Sequence, residues 1–506
     1  MRKAKSHRSD PAHQRGGCGS CRSARHTSHA ATPPLLAAAF LLLGSVPLTN
    51  GPAAAETLRD ALLRAYRDNP RLTGERAAQR ATAEDVALAR AGGLPNSEIT
   101  TRFQENLASD GVQTAALARQ FTAQPSLTVP LYRGGGVRAS IRAAEERVGA
   151  GRQNLRSTET EVFRDVVSAY LDVIRDEAVV ALNTRNVAAL EANARATRAR
   201  FDVGDLTRTD VAQSEARLAQ ARARLRQSES QLASSREGYI ALVGSPPGRL
   251  EEPPPLAGVP ATPEDAVRVA LAENPSLLAA RAERRATRLD VQIARATRLP
   301  RVNATLNGRF ATNLGSTDPS VASRTPNSAT TLPGGLSVEA PLFQGGLPAA
   351  RVRQAQARQA QAIEDETAAE RELIARVRSS FAAYRSSLAV ARSAEDAVAA
   401  NQLSLLGVRA ENRIGSRTVL DVLNAEQELL ASQVTVVTAR RDAYVAGFAL
   451  LAAMGRAEAS DLGLLDGPAN DLDRNSEPSS MATSTADTPA QDASPARLPP
   501  DIADEA

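Results

Sequence analysis

Apolar residues recur along most of this chain in steps of three and four, the spacing of helices packed along a seam. One seam runs Val211, Ser214, Leu218, Ala221, Leu225, Ser228, Leu232, Ser235, Tyr239, Leu242, and a second runs Leu420, Leu423, Gln427, Leu430, Val434, Val437, Arg441, Tyr444, Phe448, Leu451. Ahead of the first, Val137, Ile141, Ala144 and Val148 open a proline-free stretch reaching Val203, roughly 70 residues of helix or about 100 Å at 1.5 Å per residue. Four short segments change to a period of two: Ile99, Thr101, Phe103; Leu127, Val129, Leu131; Val302, Ala304, Leu306, Gly308, Phe310; and Leu336, Val338, Ala340. These predict strands, separated by a polar loop over Gln104 to Thr114 and by a longer Ser/Thr/Pro/Asn-rich loop in the second half. A short helix from Thr57 stops at Asn69-Pro70, because proline disfavours helix at the residue before it. The next helix runs to about Ala91 and is stopped by Gly92-Gly93 and Pro95.

The pattern occurs twice. Asn69-Pro70 returns as Asn274-Pro275 and Leu94-Pro95 as Leu299-Pro300, both 205 positions on (274 − 69 and 299 − 94). Pro130-Leu131-Tyr132-Arg133-Gly134-Gly135 returns as Pro341-Leu342-Phe343-Gln344-Gly345-Gly346, now 211 positions on (341 − 130), and the same 211 links Val203-Gly204 to Ile414-Gly415. Several landmarks in order with one six-residue insertion argue for an internal duplication. Each repeat is expected to hold a short helix, a helix, a strand pair, a very long helix, a turn and a returning helix. The first spans 56–247, with strands about 96–131 and a long hairpin over 134–244. After a Pro-rich linker, 248–262, the second spans 263–466, with strands about 301–341 and a hairpin over 345–455.

The ends change the chemistry that is available. Seven Lys or Arg residues, the apolar run Leu35 to Leu43 and Ala53-Ala54-Ala55 form the three parts of a secretory signal over 1–55, with Glu56 beginning the mature chain. The apolar run is too short for a spanning helix. Cys18, Cys21, His7, His13, His26 and His29 all lie inside that leader, so thiol catalysis, histidine triads and the commonest zinc sites are unavailable to the mature protein. No cysteine follows the apolar run, and a lipid anchor there is not expected. The leader takes seven of 61 basic and one of 57 acidic residues, leaving 54 against 56, so the footprint of a nucleic-acid surface is missing. No catalytic constellation, cofactor site or metal site is visible. The tail, 467–506, is rich in Ser, Pro, Asp, Thr and Ala and reads as disordered.

Amphipathic strands in an exported chain raise the question of a membrane barrel. In lipid every backbone donor and acceptor must be paired, so strands must close on themselves. Bacterial barrels use at least eight, and this chain offers four, so several copies must share one barrel. Tyr132 and Phe343, where strand gives way to helix, could serve as an aromatic girdle or as ordinary packing residues. A structural envelope coiled coil would share the long helices without needing matched strand pairs.

Two segments carry a family resemblance. Phe201-Asp202-Val203-Gly204-Asp205-Leu206-Thr207-Arg208-Thr209-Asp210-Val211 and Ile414-Gly415-Ser416-Arg417-Thr418-Val419-Leu420-Asp421-Val422-Leu423 resemble the two periplasmic hairpin tips of the TolC family of outer-membrane efflux and secretion channels. The resemblance extends from Thr57 to about Leu465. It implies a mainly helical homotrimer with a twelve-strand β-barrel in the outer membrane of a Gram-negative bacterium and a long periplasmic α-helical barrel. Implied partners are a periplasmic adaptor, an inner-membrane ABC exporter or proton-driven pump, and outer-membrane lipid. The first tip looks closest to members serving type I protein secretion; drug or metal efflux is the alternative.

Gly204 and Gly415 stand where helix must reverse, and glycine is cheap in a left-handed C-cap. Thr209, Asp210, Thr418 and Asp421 fit N-capping of the helix that follows. The resemblance adds adaptor docking at Val203, Gly204, Asp205, Leu206, Ile414, Gly415 and Ser416. It also implies a latch from Arg417 to Thr209 and Asp210 that holds the periplasmic end closed. Asn412 stands where the family has a latch tyrosine. Asp421 resembles one of two rings of aspartate at the constriction, and Asn424 stands at the other. A ring of carboxylates would favour cations in the closed pore.

Overall fold

The computed structural model describes residues 55–105, 119–314 and 328–464. Apart from Ala55, the leader read over 1–55 and the tail over 467–506 lie outside them, as do most of the two strand-connecting loops. The helices are α1 (Leu58–Asp68), α2 (Pro70–Ala91), α3 (Gly136–Asp202), α4 (Arg208–Val243), α5 (Pro263–Glu273), α6 (Pro275–Ala296), α7 (Leu347–Arg413) and α8 (Val419–Met454). Their lengths are 11, 22, 67 and 36 residues in the first repeat and the same again in the second. The offset is still 205 at the first strands (301 − 96) and has become 211 at the long helices (347 − 136), which brackets the insertion between them.

Boundaries follow local chemistry. Asn69 and Asn274 each end one helix and cap the next, with proline at the first helical position. Thr57, Thr207 and Thr418 close capping boxes with Asp60, Asp210 and Asp421. The cap of α4 is therefore Thr207, not Thr209, because Thr207 is the last extended residue before the helix and Asp210 stands three residues on.

The strands are β1 (Asn96–Glu105), β2 (Arg119–Arg133), β3 (Arg301–Asn307), β4 (Arg309–Asn313), β5 (Ser328–Thr331) and β6 (Gly334–Glu339). They amount to the four expected courses with the last two interrupted. Course two, β2, pairs antiparallel with β1 on one side and with β3 and β4 on the other; β4 pairs with β5 and β3 with β6. The third course breaks at Gly308, which faces Pro125; a Cβ there would stand 2.7 Å from the proline ring. The fourth breaks at Pro333, whose carbonyl takes the Asn307 N–H at 2.9 Å. Proline supplies no ladder donor, so both breaks fall where a proline sits in or against the strand.

Each long helix packs against its own returning helix, and α2, α3, α6 and α7 lie in that order side by side. The main core sits near the midpoint of α3, where Phe163, Val166, Val167 and Tyr170 meet Leu62 and Tyr66 of α1, Tyr239 of α4 and Phe448 of α8. A second cluster joins Ala266 and Ala270 of α5 to Val377 and Phe381 of α7 and Leu450 and Met454 of α8. Arg441, in the seam of α8, crosses between repeats to Asp172 of α3 at 3.0 Å.

Glu56 is buried beside this core. Its carboxylate accepts from Tyr239 Oη at 2.5 Å, Arg64 Nη1 at 2.9 Å and the Gly248 N–H at 2.9 Å. Its carbonyl accepts from Tyr170 Oη at 2.8 Å, and that hydroxyl also lies 2.6 Å from the Glu251 carbonyl. The linker is thus pinned to the start of the expected mature chain. Burial pushes the Tyr170 phenol up to about 12; burial and then the Glu56 carboxylate push Tyr239 up too. A phenol raised in the folded state stabilises the fold fully below its unfolded value near 10 and loses that contribution as pH rises through the folded value. An alkaline titration should therefore show helical circular dichroism persisting past pH ~10 and declining as pH rises through ~12, with the Tyr170 tyrosinate absorbance appearing over the same range.

Candidate functional site

The sheet has two chemically different faces. Cross-strand partners share a face, so the register puts Ile99, Phe103, Phe121 and Leu127 together with Leu306, Phe310, Leu336 and Val338. The opposite face carries Glu98, Thr100, Arg102 and Gln104 of β1, Gln120, Gln124 and Thr128 of β2, and Asn303, Thr305 and Ser337. The apolar face is open: Ile99 is 66 % and Leu336 71 % exposed. The outer edges of β1 and of β5 with β6 have no strand partner among the described residues. A curved sheet with an uncovered apolar side, a polar side and two free edges is a fragment of a closed barrel with a polar interior. Among the described residues no helix is long and apolar enough to cross a membrane.

At the far end of the long helices the two tips reverse in the same way. Asp205 N–H returns to the Arg200 carbonyl at 2.9 Å and Ser416 N–H to the Glu411 carbonyl at 3.0 Å. Gly204 (φ +84) and Gly415 (φ +76) supply the left-handed residue that this reversal needs. The equivalent residues Val203 and Ile414 are 80 % and 81 % exposed, and Leu206 is half-buried. Arg200 holds Asp205 at 2.7 Å.

The gate residues are grouped by tip. Arg417 Nε donates to Glu411 Oε2 at 2.8 Å, and Asn412 Nδ2 donates to the Arg417 carbonyl at 2.8 Å, so both fix their own tip. Among the described residues of one chain no bond joins Arg417 to Thr209 or Asp210. Asp210 Oδ2 and Asp421 Oδ2 serve the capping boxes, and the threonine hydroxyl and N–H hold both carboxyls below the usual carboxylate value. Both are charged at neutral pH. The Glu411 carboxylate beside it, and then Asp421, raise Arg417.

The hairpins meet along a seam close to the tips. Leu423 is buried among Val187, Leu190 and Ala221. Arg217 of α4 donates to Asn424 Oδ1 at 3.0 Å and to Gln427 Oε1 at 2.5 Å, so Asn424 faces the first hairpin. Glu426 receives Arg409 at 2.7 Å and Asn193 at 3.4 Å. Arg217 and Glu426 escape sequence reasoning because charged residues are spread along every helix, and spacing does not distinguish a cross-hairpin bond from a solvated face.

Comparison with known proteins agrees with this geometry. The model of the family described as outer membrane efflux protein matches residues 62–245 and 266–456, one segment in each repeat. The outer membrane efflux protein BepC of Brucella suis is 36 % identical over 446 residues, covering 87 % of this chain and 94 % of that protein. The outer membrane protein TolC of Vibrio cholerae is 25 % identical, covering 81 % of this chain and 92 % of that one. Among solved structures, the Campylobacter jejuni CmeC outer membrane channel superposes with a TM-score of 0.69 at 14 % identity, over 83 % of this chain and 89 % of that chain.

Proposed function

The chain belongs to the outer membrane efflux protein family, and from that premise we propose that three copies form one exit duct, opened at its periplasmic tips by an adaptor fed from an inner-membrane transporter. It is a conduit of the outer membrane and not an enzyme. The observation that carries the reading is the two-faced sheet with both edges free. Four courses cannot close a barrel, and three copies supply a barrel-sized, even number with lipid outside and polar side chains inside. The helices below prolong the lumen as a tunnel.

The adaptor docks at the tips. Val203 and Ile414 offer apolar anchors on rigid turns, flanked by Gly204, Asp205 and Leu206 and by Gly415 and Ser416. In the closed state Arg417 exchanges Glu411 for Thr209 and Asp210 where the tips of the assembled duct converge. The latch is an exposed pair, weak enough for a partner to open. The Asp421 carboxylates ring the constriction and favour cations. The likeness of the Val203 to Asp210 tip to secretion members favours an ABC exporter with a protein cargo. A gene for such an exporter beside this one would support that choice, and a proton-driven pump would reverse it.

Arg417→Ser should raise single-channel conductance severalfold in planar bilayers, because the closed end loses its latch while the tip turn keeps its glycine and backbone bonds. Conductance equal to that of the unaltered channel would remove Arg417 from the gate.

A further inference from the structure

The charged side chains of the described strands are sorted by the register. Glu98 and Arg102 of β1, Arg133 of β2, Arg301 of β3, Arg309 of β4 and Glu339 of β6 all fall on the polar face, with Thr100, Thr128 and Thr305. The two others, Glu105 and Arg119, share the parity of Phe103 and Phe121, stand opposite each other at the far end of β1 and β2, and neutralise one another at 3.0 Å. The polar face therefore carries four arginines against two glutamates. All six are exposed, and among the described residues none of them is in an ion pair.

Three of the six form one row at the end of the sheet nearest the helices. Arg133 closes β2 just before the Gly134-Gly135 turn into α3, Arg301 opens β3 just after Pro300, and Glu339 closes β6. Arg301 is the register partner of Arg133 on one side and of Glu339 on the other. Like charges facing each other across a ladder repel, a cost that water and salt in an open lumen keep small. In the barrel that three copies make, this row repeats three times around the opening where the helical tunnel enters. A ring of like charges on a low-dielectric wall adds its fields across the opening and concentrates counterions there. Arginines outnumber glutamates in the row by two to one, so the field is positive, opposite in sign to that of the Asp421 carboxylates at the tip.

We propose that Arg133, Arg301 and Glu339 of the three copies form an anion-attracting neck between tunnel and barrel, which raises the concentration of small anions there and lowers that of cations. Anionic groups of a passing substrate gain the same advantage, and Arg102 and Arg309 extend the positive field toward the exit. The proposal rests on the barrel reading. Tip and neck then select in opposite senses, the tip for cations while it is closed and the neck for anions at all times.

The test uses the full mature protein in lipid vesicles, with Ser337→Cys as its one thiol, since no cysteine follows Cys21. Ser337 lies on the polar face one pleat repeat from Glu339, opposite Asn303. The rates of an anionic and a cationic methanethiosulfonate, sulfonatoethyl and trimethylammonioethyl, are each divided by the rate on a small free thiol, so that the ratio reads the local potential. At 10 mM salt the anionic reagent should be favoured about tenfold, and at 1 M the gap should close as the screening length falls from about 30 Å to about 3 Å. Arg133→Gln with Arg301→Gln leaves the glutamates alone and should reverse the preference, Arg133→Lys with Arg301→Lys should keep it, and Glu339→Gln should enlarge it. Equal normalised rates in the unaltered neck, or a preference that the Gln pair does not move, would overturn the proposal. If the Gln pair does not assemble, Glu339→Gln and the salt series decide. Val338→Cys, on the opposite face, separates the two levels of the argument. A protected Val338 thiol beside an indifferent Ser337 thiol removes only the neck, whereas a Val338 thiol as reactive as that at Ser337 removes the barrel.

Discussion

Leu127→Arg is expected to abolish recovery of assembled protein from the outer membrane, while Thr128→Arg, one residue along the same strand, leaves it nearly unchanged. Leu127 is near the middle of β2 and shares the apolar face with Leu306, whereas Thr128 shares the polar face with Thr305. An arginine on the lipid side of a barrel near its midplane costs about 2–4 kcal/mol per chain, and one in a wet lumen costs little. Every assembled copy repeats the penalty, so a moderate effect per chain becomes a failure of the whole barrel. Membrane fractionation with heat-modifiable gel bands compares the two; equal recovery would mean that the two faces do not meet different solvents.

The second large effect is expected at Gly455. Gly244 and Gly455 are repeat equivalents, 211 positions apart (455 − 244), each closing a returning helix in the left-handed region with φ +84 and +81. A Cβ on Gly244 meets nothing within 4 Å, but on Gly455 it would stand 2.7 Å from the Glu273 carbonyl oxygen and 3.0 Å from Asn274 Cα. Gly244→Ala should cost about 1 kcal/mol, the left-handed penalty alone. Gly455→Ala adds a clash with backbone that cannot swing aside, bringing the loss to about 3 kcal/mol or more. Chemical denaturation of the detergent-solubilised protein reads the difference, and equal losses would refute the close approach of α8 to the α5–α6 corner.

That pair marks the limit of what is legible in the chain alone. Both glycines stand at the end of a periodic run, so the caps are readable, but that Gly455 alone is covered is set by a corner 181 residues away (455 − 274). The helices were legible because a 3.6 period sustained over many turns leaves little choice, and the repeat offset tied one copy to the other. The strands were legible as amphipathic segments. Their breaks at Gly308 and Pro333 were not, since a break depends on which residue lies across the ladder. The same holds at the tips. Reversal at Gly204 and Gly415 follows from a local rule, whereas Arg417 turning to Glu411 and Asn424 meeting Arg217 depend on how hairpins lie together.

The central claim is that the free edges of one sheet are closed by other copies of the same chain. The mass of the detergent-extracted particle tests this most directly: three chains is the predicted result, and a stable single chain with its sheet intact would contradict it.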